Sequence, residues 1–287
     1  RNDAVAPLDR VGFVLFGAGI ALLSYALEVF GEHGLPAGSL ALLFGGAVSL
    51  LLLYGWHERR TDRPVISLAL FRIRTFSIAV LGGIITRLGV GGTPFLLPLL
   101  YQIGLGYEPW QAGLLTMPQA VAAIMMKVLS RHLLARFGHR QILIGNTVCF
   151  GLTLAVFALI GPGTPVWLIL ALSFTQGLFS ALQFTSMNTL VYADTSDRDA
   201  SMANSIALTA QMMSWSFGTA LASLFTAFYL GGRPQSDHIV FIGALHLSFL
   251  TMGGLTILSS LMFWRLGPND GNNVSNRPST PEAAEAA

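Results

Sequence analysis

The amino-acid sequence predicts an all-α polytopic membrane protein with about eight transmembrane helices, and three observations predict it. Hydrophobic residues make up 53% of the chain and charged residues only 10%, against roughly a quarter charged in soluble domains. Apolar runs of about twenty residues, the length that crosses a bilayer, recur along the whole chain. The basic residues gather at alternate gaps between those runs, as cytoplasmic loops require.

Window hydropathy places the spans at roughly 11–30, 37–56, 75–102, 109–130, 140–160, 165–191, 201–230 and 239–264. Lipid offers no hydrogen bonds, so each span must satisfy its own backbone, which makes helices the default. The runs are continuous and too long for the alternating strands of a β-barrel.

Arg1 and Arg10 precede the first span, and Arg59, Arg60, Arg63, Arg72 and Arg74 lie between the second and third. Lys127, Arg131, Arg136 and Arg140 fall at or between the fourth and fifth. Arg198 falls between the sixth and seventh, and Arg265 and Arg277 follow the eighth. With alternating helices these fourteen share one side, while the other side receives Arg233 alone. Both ends of the chain are therefore expected in the cytoplasm.

Glu28, near the outer end of the first span, reads as interfacial. The third span carries Arg87, about 18 Å along the axis at helical rise, near the membrane centre. A charge there is costly and faces a cavity or a partner. One reading is an ion pair that only orients helices; the other is an arginine that meets substrate or a coupling carboxylate. Arg87, Gly91, Pro94, Pro98 and Tyr101 recur at helical spacing and so share a face. The stretch GVGGTPFLLP (Gly89 to Pro98) makes a poor continuous helix, because proline lacks the backbone donor. Interrupted spans mark binding sites in transporters, although a packing kink gives the same pattern.

Between the fourth and fifth spans, RFGHR (Arg136 to Arg140) places a glycine among arginines in a tight turn, and Gly138 tolerates backbone angles that other residues avoid. The arginines there either fix topology alone or, with Arg131, latch two helices by reaching helix carbonyls or neighbouring carboxylates. Gln176, Ser180 and Gln183 form a polar stripe on the sixth span. Asn204 and Gln211 lie on the seventh, with Trp215 one turn on. Any one of these amides serves more simply as inter-helix glue than as a ligand; as a set they could line a water path. Met125, Met126, Met212 and Met213 read as packing, and His246 as a hydrogen-bonded core residue. The tail 267–287 has no apolar face to bury and is expected to be disordered. The sequon at Asn273 is discounted because the tail is placed inside.

Cys149 is the single cysteine, so no disulfide framework or thiolate metal site is available. The sequence shows no metal-spaced cluster, no nucleophile beside a base, and no phosphate-cradling loop. It gives no sign of a cofactor, a nucleic-acid partner or enzymatic chemistry. The chain starts with Arg1 and shows no signal peptide pattern, so it reads as a piece of a longer protein.

RFGHR, followed by a span and then QFTSMNTLVYADTSDRDASMANSIALTAQMMSWSFG (Gln183 to Gly218), resembles the major facilitator superfamily. The likeness is to the fourteen-helix drug:proton antiporters of the EmrB/QacA type, and within them to the MdtD-like branch. PLDRVGFVLFG (Pro7 to Gly17) is similar to the start of the first of two extra central helices. RPVISLALFRIRTFSIAVLGG (Arg63 to Gly83) and PFLLPLLYQIGLGYEPWQAGL (Pro94 to Leu114) resemble the approach to the second six-helix bundle and its first hairpin.

The resemblance implies an N-terminal segment with two linker helices over 1–62, a C-terminal six-helix transporter bundle over 63–266, and the tail. A first six-helix bundle, with its antiporter motif and proton-carrying carboxylate, would stand outside this sequence. RFGHR resembles the second-half echo of the family's cytoplasmic loop motif, but Ala135 stands where an aspartate is common. An acid partner would then come from Asp194, Asp197 or Asp199.

The implied function is proton-coupled export of small molecules from a bacterial inner membrane. The implied partners are the lipid bilayer, a small-molecule substrate, protons and the first bundle. The substrate path falls on Arg87, Gly91, Pro94, Tyr101, Gln176, Gln183, Asn204 and Gln211. Because Arg87 repels cations, an anionic metabolite or a metal-carboxylate complex such as iron-citrate is an alternative cargo. A non-transporting scaffold or receptor is the alternative of another class.

Overall fold

The computed structural model describes residues 9–32, 36–61, 68–196, 199–234 and 237–275. Long helices form where the apolar runs stand: α1 (Arg10–Glu32), α2 (Ala37–Glu58), α3 (Arg74–Pro98), α4 (Pro109–Phe157), α5 (Val166–Val191), α6 (Ala200–Leu230) and α7 (His238–Phe263). A 3₁₀ turn, Leu68–Arg72, leads into α3, and a π-helical turn, Leu99–Gly104, extends it. A short helix, α8 (Asn272–Ser275), follows α7.

The expected fourth and fifth spans form one 49-residue helix, α4, about 73 Å long at 1.5 Å per residue. That exceeds twice the ~30 Å hydrocarbon core. The helix breaks at Gly138, where φ is 76° and ψ is 165°, a conformation open essentially to glycine alone. Two antiparallel arms result, 109–137 and 139–157, both packed on α5. The break falls at the expected glycine, but the first arm stays helical up to it, so Lys127, Arg131 and Arg136 stand on that arm and not in a loop. The segment KVLSRHLLAR (Lys127 to Arg136) is made largely of strong helix formers, and continuing the helix pairs its backbone.

Among the described residues, five helices are long and apolar enough to cross a membrane, α4 among them. The fold is thus all-α and polytopic, with eight rods once α4 is divided at Gly138 and α1 and α6 are included. Polar side chains such as Ser205, Thr209 and Gln211 dilute α6.

The helices α1 and α2 form a hairpin that rests on α6, where Leu23 and Ala47 meet Met213 and Phe217. The remaining six rods form the bundle, α3 beside α6 and α7, and α4 beside α5 and α7. Its core has two tiers. Phe76, Leu143, Met187, Leu190, Ile206 and Phe263 fill the end where the arginines gather, here termed the basic end. Leu96, Tyr101, Phe157, Ile169, Phe241 and Phe249 fill the opposite end. His246 lies between helices and shares a 2.7 Å hydrogen bond with the Ile160 carbonyl. Arg63, Asp197, Arg198 and the side chain of Glu28 lie outside the described residues.

The tail departs from expectation. Residues 267–275 are folded, and only 276–287 lie outside the described residues. Asp270 accepts two hydrogen bonds from Arg74, at 2.8 and 2.7 Å, and one from the Gly267 amide at 2.7 Å. Asn273 donates to the Ala193 carbonyl. Polar anchoring to the ends of α3 and α5 replaces the apolar face that the tail lacks.

Candidate functional site

α3 remains helical through Pro94 and Pro98. Proline has no N–H, so the carbonyls four residues earlier, on Val90 and Pro94, lose their helical donors. Val90, Pro94 and Pro98 all line a cavity of about 350 Å³ between α3, the first arm of α4 and α5. Thr93, Thr116, Gln119, Gln176 and Ser180 complete its polar lining. Gln176 is 97% buried (3% exposed), and its Oε1 has no hydrogen-bond partner. The buried Nε2 of Gln119 also has none. Buried amides are normally satisfied, so an orphan donor and an orphan acceptor lining one cavity make it the candidate binding site.

A second groove of about 430 Å³ shares Gln119 and Ser180 with the first. It is also lined by Lys127, Gly177, Phe184, Thr185 and Trp215. Together they form a largely apolar track, studded with polar groups, from Pro98 toward the basic end. Gly177 lets α5 approach α4 closely: a Cβ there would stand 2.6 Å from the Cα of Gln119.

The expected stripe on α3 divides among different neighbours. Only Pro94 and Pro98 meet the cavity. Gly91 faces α6, and its carbonyl accepts a 3.0 Å bond from Thr219. Tyr101 is fully buried, its hydroxyl 3.3 Å from that of Ser173. Arg87 is 6% exposed and donates to Asn188 Oδ1 on α5 at 3.3 Å. Its guanidinium folds back over Gly83, where a Cβ would stand 2.8 Å from Nη1. No carboxylate pairs with it among the described residues. Asn188 and Asn204 line a separate cavity of about 70 Å³ with Tyr192, whose hydroxyl donates to Asn204 at 2.7 Å.

Gln183 is inter-helix glue: it accepts from Asn146 at 2.7 Å and donates to Thr147 at 2.9 Å. Gln211 is buried on α6 and lines none of these cavities. Gln119, Thr116 and Asn188 were missed. The signal for Gln119 was available, an amide after Pro118 in the middle of an apolar run.

The family model of the Major Facilitator Superfamily matches residues 79–286. The chain belongs to that superfamily. That superfamily is one of membrane transporters. Similar proteins carry the name multidrug resistance protein MdtD. One from Cronobacter sakazakii is 34% identical over 263 residues, covering 91% of this chain and 55% of the relative. One from Enterobacter sp. strain 638 is 35% identical over 266 residues, covering 91% and 55%. One from Klebsiella pneumoniae (strain ATCC 700721 / MGH 78578) is 34% identical over 270 residues, covering 93% and 56%. The chain spans about half the length of the curated relatives it matches.

In this superfamily member the turn expected to be a latch is held differently from the expectation. Arg131 and Arg136 are exposed and Arg140 is half-buried. None forms an ion pair among the described residues. Asp194 instead accepts a 2.7 Å bond from Thr75, and Asp199 accepts one from Ser196. The buried residue of the turn is His139, whose Nε2 lies 2.9 Å from Thr189 Oγ1. That hydroxyl gives its proton to the carbonyls of Thr185 and Ser186, so the ring is the donor to it. Gly271 of the tail covers the other face of the turn: a Cβ there would stand 2.5 Å from His139 Nδ1.

Proposed function

We propose that this chain is the C-terminal part of a proton-coupled exporter of small molecules, of the multidrug-efflux type, that works by alternating access. The cavity beside Pro94 carries the reading: its lining brings together two helix prolines, an unpartnered amide donor on Gln119 and an unpartnered amide acceptor on Gln176. Buried groups of that kind are costly unless something meets them, and a substrate that enters the cavity does so. A second six-helix bundle would close the other side of the track and supply the carboxylate that takes the proton. Both ends of the present segment face the cytoplasm on this reading, and rocking of the two bundles exposes the track to each side in turn. The turn with Arg131, Arg136, Gly138 and Arg140 borders the cytoplasmic mouth.

The test is export by the complete transporter in inverted vesicles under an imposed proton gradient. Gln176→Leu and Gln119→Leu are expected to lower export at least tenfold while leaving the protein folded. Unchanged export in both variants overturns the assignment of this cavity.

An anionic metabolite or a metal-carboxylate complex is a second reading of the cargo. It is favoured by Arg87 and Lys127, neither of which forms an ion pair among the described residues. Arg87→Ala is expected to cut export of a carboxylate substrate more than export of a lipophilic cation. Equal export of both by the variant and the parent removes this reading.

A further inference from the structure

A third groove opens away from the track and shares no residue with it. It has a volume of about 230 Å³ and runs between the two arms of α4 and α5. Its walls are Leu133, Phe137, Ile142, Phe179 and Leu182, with Gln141, Asn146 and Cys149 as polar members. The volume falls below the ~300–1,000 Å³ of pockets that take drug-sized ligands, and the apolar walls suit a single hydrocarbon chain.

Position and charge identify the occupant further. The groove begins at the Gly138 break, the basic end of the bundle. Cys149 stands eleven residues farther along, about 16 Å deeper at helical rise. Arg136 is not in the lining itself but adjoins it, its guanidinium 5.6 Å from the ring of the lining residue Phe137. It is exposed and has no carboxylate partner among the described residues. The depth of the groove cannot hold an anion. The Nδ2 of Asn146 is spent on the Phe179 carbonyl at 2.9 Å and on Gln183 at 2.7 Å. Its Oδ1 is an acceptor without a partner. Negative charge therefore belongs at the mouth and hydrocarbon inside. Basic residues at helix ends attract the anionic headgroups of the adjacent leaflet.

We propose that this groove is a phospholipid site. One acyl chain lies between the arms of α4 and α5, and the anionic headgroup of a lipid in the leaflet at the basic end rests on Arg136 and Gln141. The inference depends on the membrane-spanning fold and not on the transport reading, and its test reads no transport.

Cys149 is the single cysteine of the chain and lines the groove, which makes it a reporter. The full-length protein, with Cys149 as its only cysteine, is reconstituted into nanodiscs of phosphatidylcholine alone or with one-third phosphatidylglycerol. The rate of Cys149 modification by an uncharged maleimide is then measured. Phosphatidylglycerol is expected to slow the reaction at least fivefold. Arg136→Gln is expected to restore the phosphatidylcholine rate, and inorganic phosphate is expected to do nothing.

Native mass spectrometry of the parent is expected to retain one phosphatidylglycerol that Arg136→Gln and Leu182→Trp both lose, the second by filling the groove. Equal rates in the two lipids, protection that survives Arg136→Gln, or protection by phosphate alone overturns the proposal. Protection that appears only as a second copy of the protein associates would assign the groove to a protein contact and overturns it as well.

Discussion

Where α3 meets α6, glycines bring two backbones together. A Cβ on Gly218 would stand 2.5 Å from the Leu88 carbonyl oxygen and 2.9 Å from the Cα of Gly91. Where the same helix meets α4 and α5, prolines hold the neighbours off and leave a cavity of about 350 Å³. Both faces come from the ten residues Gly89 to Pro98. In lipid, helices associate through close van der Waals contact between small residues, and the glycine face supplies it. The proline face gives up the helical hydrogen bonds that the two missing amide donors would have made. Rigidity on one face lets the other remain open.

The comparison breaks most sharply at Gly218. Gly218→Leu is expected to abolish folding, and Gly218→Ala to cost about 3 kcal/mol, the upper part of the overpacking range. The fraction that stays monodisperse after heating in detergent measures this. A stable leucine variant would show that α3 and α6 do not touch backbone to backbone.

Gly138→Ala comes next. It forces a side chain into a conformation that costs about 1–3 kcal/mol, with the same thermal readout. A melting curve identical to the parent's would place the break elsewhere.

Gln176→Leu sharpens the contrast by acting in the opposite direction. It removes an unpartnered buried acceptor, whose penalty is about 1–3 kcal/mol. Melting is therefore expected to be unchanged or higher even as export falls. A large loss of stability would make Gln176 a structural residue.

The smallest effect is expected from Asp270→Asn. Arg74, its partner, is 61% exposed, and such pairs contribute under about 1 kcal/mol. Melting should barely move, but amide exchange over 270–275 should accelerate. Unchanged exchange would mean that the ion pair does not hold the tail.

Much of the fold could be read without coordinates. The spans were legible because crossing lipid demands long apolar runs, and Gly138 because a turn among arginines calls for unusual dihedral angles. Pro94 and Gln176 were legible as polar or broken points in apolar helices. The sharing of work along α3 was not. Arg87, Gly91 and Tyr101 lie on one stripe, yet they meet Asn188, Thr219 and Ser173 on two different helices. Helical spacing says which residues point together, and a bundle surrounds each helix with several neighbours. Gln119, after Pro118, stood out as an amide in an apolar run, but which helix it faces was decided only by packing.

Composition and periodicity alone established the membrane class, the number and order of the rods, and their shared basic end, because the energetics of burying charge and bare backbone in lipid act on each segment separately. Tertiary packing alone decided that His139 and not an arginine secures the Gly138 turn, and that Asp270 reaches back to Arg74. It also left the Gln119 Nε2 and the Gln176 Oε1 without partners beside one cavity. Those outcomes depend on side chains from distant segments meeting at hydrogen-bonding distance, and no local pattern along the chain encodes such meetings.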